Sequence, residues 1–355
     1  MRKRIGIFLA FVFATISMSG QLLKSDGSIV KYNGGFLNIY GVAAPTVPED
    51  TSSYTFADTD SVDILYQIDW EEYSLQDPID HDVAVAGMPN GGYEGSDTLN
   101  GDWLDNSAIV ALGGDKVLRN DYDNGQCCWE FSPVGDGGTG VIWREYLDQN
   151  TDTCCVSFPI YLESGWDMGD GMKLGGMYTH EEGGREFQYS GMMLKQQVDG
   201  SQRLLWYDFT YSGTGDVDKN NDGGLVGGSD TIIPGEWFIL TQCHYQGTED
   251  SFNGWHAVFV DTVCVGVKSG RMYSNSQESE NNYGGFTMVS VETIMGGDNA
   301  TYDSQKDQAS WYGDVTVWRY KPGYSVWTDQ TTAPSVGSTI KLPEETKYGS
   351  WASPE

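Results

Sequence analysis

Between Asp102 and Lys321 the chain alternates between short runs rich in β-branched and aromatic residues and clusters of Gly, Asn and Asp. AIVALGG, GQCCWEFSPV, GVIWREYL, TCCVSFPIYL, REFQYSGMML, QRLLWYDFTY, EWFILTQCHY, WHAVFVDTVCVGV, FTMVSVETIM and WYGDVTVWRY follow one another in that rhythm. Runs of this kind fit a pleated, half-buried surface, and the residues between them fit turns. The helical spacing of apolar residues is nowhere sustained. Segments this short and this numerous bury their apolar faces most simply as two stacked antiparallel sheets. The expectation for residues 102–321 is therefore an all-β jelly-roll sandwich, and no internal repeat interrupts it.

The flanks read differently. Residues 1–20 have the form of a secretory signal: Arg2, Lys3 and Arg4, then the apolar run Ile5–Ile16, then small residues around Ser17, Ser19 and Gly20. That run is short for a membrane span, and no other segment approaches the required length. Residues 21–101 form an acidic, loop-rich extension in which SVDILYQIDW and HDVAVAGM are the pieces with strand character. Residues 322–355 are a polar Pro/Ser/Thr-rich tail, expected to be extended and loosely held. A secreted protein, monomeric and free of membrane association, is the expectation.

A formal net charge of −31 disfavours nucleic-acid phosphates as partners. It also means that a site for any anionic ligand must concentrate the few basic residues. From Tyr32 to Asp115 there is no Lys or Arg, whereas Lys173, His180, Arg185, Lys195 and Arg203 fall close together. Ordinary surface scatter is the alternative, because Glu181, Glu182, Glu186 and Asp199 are interleaved with them. The 6 cysteines of a secreted chain point to disulfides. A Cys243–Cys264 bridge across neighbouring strands is expected, as is pairing of Cys127-Cys128 with Cys154-Cys155. A metal site at these cysteines is disfavoured, since no histidine lies close by in sequence.

Asp216, Asp218, Asn220 and Asp222 alternate ahead of Gly223, a spacing that turns several oxygens toward a hard cation such as Ca2+. The twelfth position of an EF-hand loop would be Ser229 rather than Glu, so a structural calcium loop in a β protein is the expectation. A solvated turn without metal is the alternative. No organic cofactor is indicated. Asn299-Ala300-Thr301 is a glycosylation sequon. No Ser-His-Asp set, zincin helix or phosphate loop is present, and no local motif marks a pair of glycosidase carboxylates.

The stretch Cys155–Met193 wraps a glycine-rich loop around Lys173, and glycine lets a backbone approach a ligand closely. Four pieces from Asp115 to Tyr320 together resemble the polysaccharide lyase family 14-type domain, which includes alginate and glucuronate-polymer lyases. They are SFPIYLESGWDMGDGMKLGGMY, YSGMMLKQ followed by RLLWYDFTY, IIPGEWFILTQCHY with NGWHAVFVDTVCVGV, and VETIMGGDNATYDSQKDQASWYGDVTVWRY. Gln242-Cys243-His244 resembles a Gln-x-His strand motif of another alginate lyase family, whose companion motifs are absent. The first resemblance implies a β-jelly roll that holds an acidic polysaccharide. In that family a lysine, a serine-x-arginine pair and two tyrosines line the site. Carried over by motif, the lysine falls on Lys173, the serine on Ser190 and the second tyrosine on Tyr207. The arginine position reads Met192 and the first tyrosine position reads Leu205. Lys195, Arg203, Arg185 and His180 are then the candidates for substrate binding.

What the resemblance implies is a lyase that removes the proton beside a uronate carboxylate and expels the sugar oxygen at C4. The carboxylate must be neutralised by a cation or amide donors, a base must take the C5 proton and an acid must protonate O4. Lys173 is the candidate for neutralisation or base, Tyr207 for base or acid, and Ser190 for orientation. Two functional classes follow: a secreted lyase for an alginate- or glucuronan-type polymer, or a non-catalytic glycan-binding or cell-wall protein on the same fold. The missing arginine favours the second, and unsaturated products would distinguish the two.

Overall fold

The computed structural model describes residues 21–23, 29–31, 56–57, 59–73, 75, 107–125, 142–169, 171–179, 188–197, 202–211, 217–218, 225–226, 231–273, 285–294, 302–321, 331–344, 346 and 353–354. The chain divides into two compact units, Met1–Pro48 and Glu49–Glu355. Within the first, β1 (Gln21–Leu23) pairs antiparallel with β2 (Ile29–Lys31). The second begins with β3 (Val62–Ile68), β4 (Ser107–Leu112), β5 (Asp115–Tyr122), β6 (Ile142–Thr151), β7 (Thr153–Leu162) and β8 (Met172–Thr179). It continues with β9 (Gln188–Gln196), β10 (Gln202–Tyr211), β11 (Val217–Asp218), β12 (Thr231–Ile232), β13 (Trp237–Tyr245) and β14 (Gly254–Val260). Its last strands are β15 (Val263–Arg271), β16 (Phe286–Glu292), β17 (Gln308–Tyr312) and β18 (Val315–Tyr320). Among the described residues no α-helix is present, and 3-10 turns occur at Thr59–Ser61 and Trp70–Glu72.

These strands make the jelly-roll sandwich that the segment rhythm predicts. One sheet has seven strands in the order β11-β10-β9-β8-β16-β6, with β12 beside β10. The other has nine, β15-β14-β13-β7-β17-β5-β4, and in it β18 lies between β7 and β3. Every strand pair is antiparallel. The main core lies between the sheets and takes alternate residues of facing strands, as the period of two requires. Cys154, Val156, Phe158, Ile160 and Leu162 of β7 meet Met172, Leu174, Met177, Met192, Leu194 and Leu204 of the seven-stranded sheet.

Strand β7 is buried along its whole length, which fits a sequence of apolar and aromatic residues broken only by Thr153 and Ser157. Its Pro159 sits in mid-sheet, where a missing N–H ordinarily costs a ladder bond. Here the proline lies opposite the break between β17 and β18, and its carbonyl accepts from Gly313 N at 2.9 Å. The missing donor faces the same gap, so no ladder bond is lost.

The flanks join this sandwich. Val62–Ile68, within the expected extension, supplies the strand beside β18. Trp70 follows it, fully buried, with Nε1 donating to Gly313 O at 2.8 Å and its backbone N donating to Asp314 Oδ1 at 3.0 Å. The tail is not loosely held over 331–344. Ile340 and Leu342 are buried against Cys155, Cys243, Tyr245, Trp255 and Trp318 on the outer face of the nine-stranded sheet. That face is too apolar to stand in water, and the tail covers it.

The expected cysteine pairing is corrected. The disulfide joins Cys155 to Cys243, which are register partners on β7 and β13 with Cα atoms 3.9 Å apart. Cys154 and Cys264 are free and buried. Cys264 lies opposite Phe259 on β14, so a whole strand separates it from Cys243. Cys154 points to the inter-sheet core, the opposite side of β7 from Cys155. Cys127 and Cys128 lie outside the described residues.

Candidate active site

The seven-stranded sheet turns a second face away from the core, and a β-bulge determines which side chains reach it. On β8, Met172 and Leu174 enter the core, so Lys173 points outward. Five residues later Tyr178 would point inward in a regular strand. The register shifts between Lys173 and Gly175, where Gly175 adopts φ +91°, and the alternation inverts. Met177 consequently enters the core, and Tyr178 joins Lys173 on the outer face.

On β9 the outward positions are Gly191, Met193 and Lys195, and on β10 they are Arg203, Leu205 and Tyr207. Gly191 pairs with Tyr207 and Lys195 pairs with Arg203. On β16, Met288, Ser290 and Glu292 face the same way while Val289 and Val291 enter the core. Gly176 and Gly191 are register partners between Ser290 and Tyr207, so no side chain rises there. A Cβ on Gly176 would come within 2.1 Å of Ser190 O.

On this face the Lys173 ammonium lies over the Tyr207 ring, 5.3 Å from its centroid. The same Nζ is 3.9 Å from Glu292 Oε2. Glu292 Oε1 accepts from Tyr178 Oη at 2.6 Å and from Ser290 Oγ at 3.1 Å. The Lys173 side chain keeps 22% of its surface, whereas that of Glu292 keeps 2%, so the cation is the member of the pair that meets solvent. The Lys173 backbone N donates to Ile294 O at 2.9 Å, which ties its strand to the end of β16. Tyr146 and Tyr207 flank the buried Tyr178 and Met288 and complete an aromatic edge.

The carried-over residues thus divide. Lys173 and Tyr207 come together. Lys195 and Arg203 share their face as half-buried register partners, with Lys195 about 7 Å further along β9 than Met193, the register partner of Lys173. Ser190 does not join them. It is fully buried and points between the sheets, because it pairs with Met177 and Asp208, both of which face the core. Met192 likewise enters the core, so the outward positions of β9 are displaced by one residue from the carried-over serine-x-arginine pattern. Arg185 and His180 lie outside the described residues, as do Asp216, Asn220 and Asp222. Asp218 stands in β11 opposite Thr210, and its side chain is not described.

Ser190 belongs instead to a polar pin between the sheets. Its Oγ donates to Asp208 Oδ1 at 3.2 Å and lies 3.2 Å from Tyr273 Oη. His256 Nδ1 is 3.0 Å from Asp208 Oδ1, and Lys268 Nζ and Arg271 Nε lie 3.8 and 4.0 Å from Oδ2. Burial pushes the Asp208 carboxyl up, but the His256 ring, then Arg271 and Lys268, outweigh it and hold the group below the usual carboxylate value. His244 stacks on His256 with centroids 4.3 Å apart, and burial, followed by His256, pushes it well below its ordinary 6.5. Gln242 Nε2 crosses the core to donate to Gly175 O at 3.1 Å, occupying a carbonyl of the bulged segment. The Gln-x-His motif is a core brace.

Motif reading missed Glu292 and Tyr178. Glu292 carries one faint signal, the single charge at the end of the otherwise uncharged strand FTMVSVE. Tyr178 carries none, because its face depends on the bulge.

No family model and no curated protein matches the sequence. Among solved structures, the chain is similar to alginate lyase Aly36B, with TM-score 0.51 and 16% identity over 72% of this chain and 96% of that one. It is also similar to the marine PL-14 alginate lyase from Aplysia kurodai, with TM-score 0.50 and 16% identity over 72% of this chain and 98% of that one. What the chain shares with both is the fold, a jelly roll of two antiparallel sheets.

Proposed function

We propose that this protein is a secreted polysaccharide lyase that cleaves a uronate-containing polymer of alginate or glucuronan type by β-elimination. The observation that carries the reading is the partly exposed Lys173 ammonium placed over the Tyr207 ring. A pyranose ring that reaches this pair meets a cation and a phenol at one edge. Lys173 neutralises the C6 carboxylate as negative charge builds at C5. Tyr207 is the proton-transfer group: the C5 proton leaves to a base, its electron pair forms the C4–C5 double bond, the C4–O4 bond breaks, and O4 takes a proton. Lys195 and Arg203 extend the positive strip and meet the carboxylate of a neighbouring sugar. The Cys155–Cys243 disulfide supports an oxidising, extracellular setting. Among the described residues, no helix is long and apolar enough to cross a membrane.

The test is the ultraviolet absorbance of unsaturated ends during incubation with alginate, polyglucuronate and related polyuronates. The wild type should produce it, and Lys173→Ala and Tyr207→Phe should each reduce the rate by about 100-fold or more. Full activity in either variant would remove that residue from the chemistry. The carried-over arginine and first tyrosine read Met192 and Leu205, and this favours the second reading, a glycan-binding protein. That reading takes over if acidic glycans bind and no polymer yields unsaturated ends.

A further inference from the structure

The outward face holds one acid that neither the sequence motifs nor the reading above assigns. Glu292 is 1% exposed and, with Asp208 and Asp314, is one of the buried acids among the described residues of a strongly acidic chain. A buried carboxylate is costly unless charge and hydrogen bonds compensate it. Here Tyr178 Oη and Ser290 Oγ both donate to Oε1, at 2.6 and 3.1 Å, which orients the group and turns Oε2 toward Lys173 Nζ at 3.9 Å. The three partners come from two strands, β8 and β16, whose register is itself locked by the Lys173 N to Ile294 O bond.

We propose that Glu292 is the positioning residue of this centre: its carboxylate, gripped by the Tyr178 and Ser290 hydroxyls, holds the Lys173 ammonium over the Tyr207 ring. A lysine side chain carries four rotatable bonds, and an ammonium left to wander would meet a substrate carboxylate in many geometries. Glu292 restricts it to one while remaining out of the substrate's reach. The kinetic consequence rests on the lyase reading, but the placement of Lys173 does not.

The experiment uses Glu292→Gln in the full chain, because the amide oxygen still accepts from Tyr178 and Ser290 and only the charge is lost. Competitive acetylation with limiting acetic anhydride, read by peptide mass spectrometry, reports each lysine, with Lys195 and Lys306 as internal references. Loss of the carboxylate removes the ion pair that holds the Lys173 ammonium and frees its Nζ to reach solvent, so Lys173 should react severalfold faster in the variant, while the references hold their wild-type rates. Tyr178→Phe loosens the grip on Oε1 and should move Lys173 the same way by less. If Glu292→Gln does not fold, Tyr178→Phe decides by the same criterion. On a polymer that the wild type degrades, Glu292→Gln should lower kcat about tenfold or more with KM within about twofold. A wild-type Lys173 acetylation rate in a cooperatively melting Glu292→Gln variant overturns the proposal, because a purely structural role for Glu292 would leave that rate unmoved. Absence of lyase activity in the wild type would sink the proposed function and leave the acetylation result to decide the role of Glu292.

Discussion

Gly175 is the residue on which the outward face depends. Its φ of +91° suits glycine, and a Cβ there would lie 2.1 Å from Ser290 O and 2.9 Å from Glu292 N. Both clashing atoms are backbone of β16, so relief requires the strands to part. Gly175→Ala should therefore cost about 2 kcal/mol or more from the left-handed backbone alone, measured by urea unfolding. The variant should also lose the Tyr178–Glu292–Lys173 geometry, because the bulge that puts Tyr178 on the face of Lys173 depends on this glycine. Wild-type stability in Gly175→Ala would show that the bulge is not held as described. The motif carry-over named Lys173, Ser190 and Tyr207 together, and the structure puts Lys173 beside Tyr207 but turns Ser190 into the core. One residue of offset in a strand turns a side chain from groove to core.

At the scale of elements, the apolar and aromatic runs were legible, and β4, β6, β7, β9, β10, β13, β14, β15, β16, β17 and β18 fall within or across them. Strand β8 was not: Met172–Thr179 reads as a glycine-rich loop around Lys173, and it becomes a strand because it pairs with β9 and β16. Nor was strand β5, because DKVLRNDY is mostly charged and polar and lacks the period of two, so it reads as a polar connection. It becomes a strand because Val117, Leu118 and Tyr122 are buried between β4 and β17. The tail was misjudged for the converse reason: its composition is polar, yet Ile340 and Leu342 occupy an apolar face that composition does not display. Leu342 is fully buried, so Leu342→Ala should destabilise the protein by about 2–5 kcal/mol. A drop in the urea midpoint is the readout, and an unchanged midpoint would mean that this stretch contributes no stability. The disulfide lies under the same cover, linking the two strands on which the tail rests.

For the whole molecule, the pin between the sheets predicts how folding responds to acid. His244 is held neutral well below its ordinary 6.5, while in the unfolded chain it takes up a proton near that value. Its contribution is complete above about pH 6.5 and is lost as pH falls below it. Asp208 is held below the usual 3.8, so its contribution is present above that value and disappears as pH falls through the lower folded one. Both signs agree: the unfolded state binds more protons. Melting or urea midpoints should be flat from about pH 7 to 8 and should then decline, with each group adding up to about 1.4 kcal/mol per pH unit within its window. His244→Phe, if it folds, should abolish the slope between about pH 6.5 and 5. A midpoint equal at pH 5 and pH 7.5 in the wild type would contradict this account of the pin.

The division between sequence and structure follows from the range of the interactions involved. Local patterning by itself determined the all-β class and the sandwich, because β-branched and aromatic runs separated by turn residues have few other ways to bury their apolar faces. It also singled out Lys173, through the glycines that surround it, while Tyr207 came from the resemblance to the lyase domain. Tertiary structure alone decided that Ser190 faces the core, that Cys155 pairs with Cys243, that the tail closes the outer sheet, and that Glu292 stands beside Lys173. Each of these depends on register between strands distant in sequence, and one bulged residue is enough to exchange the two faces of a strand.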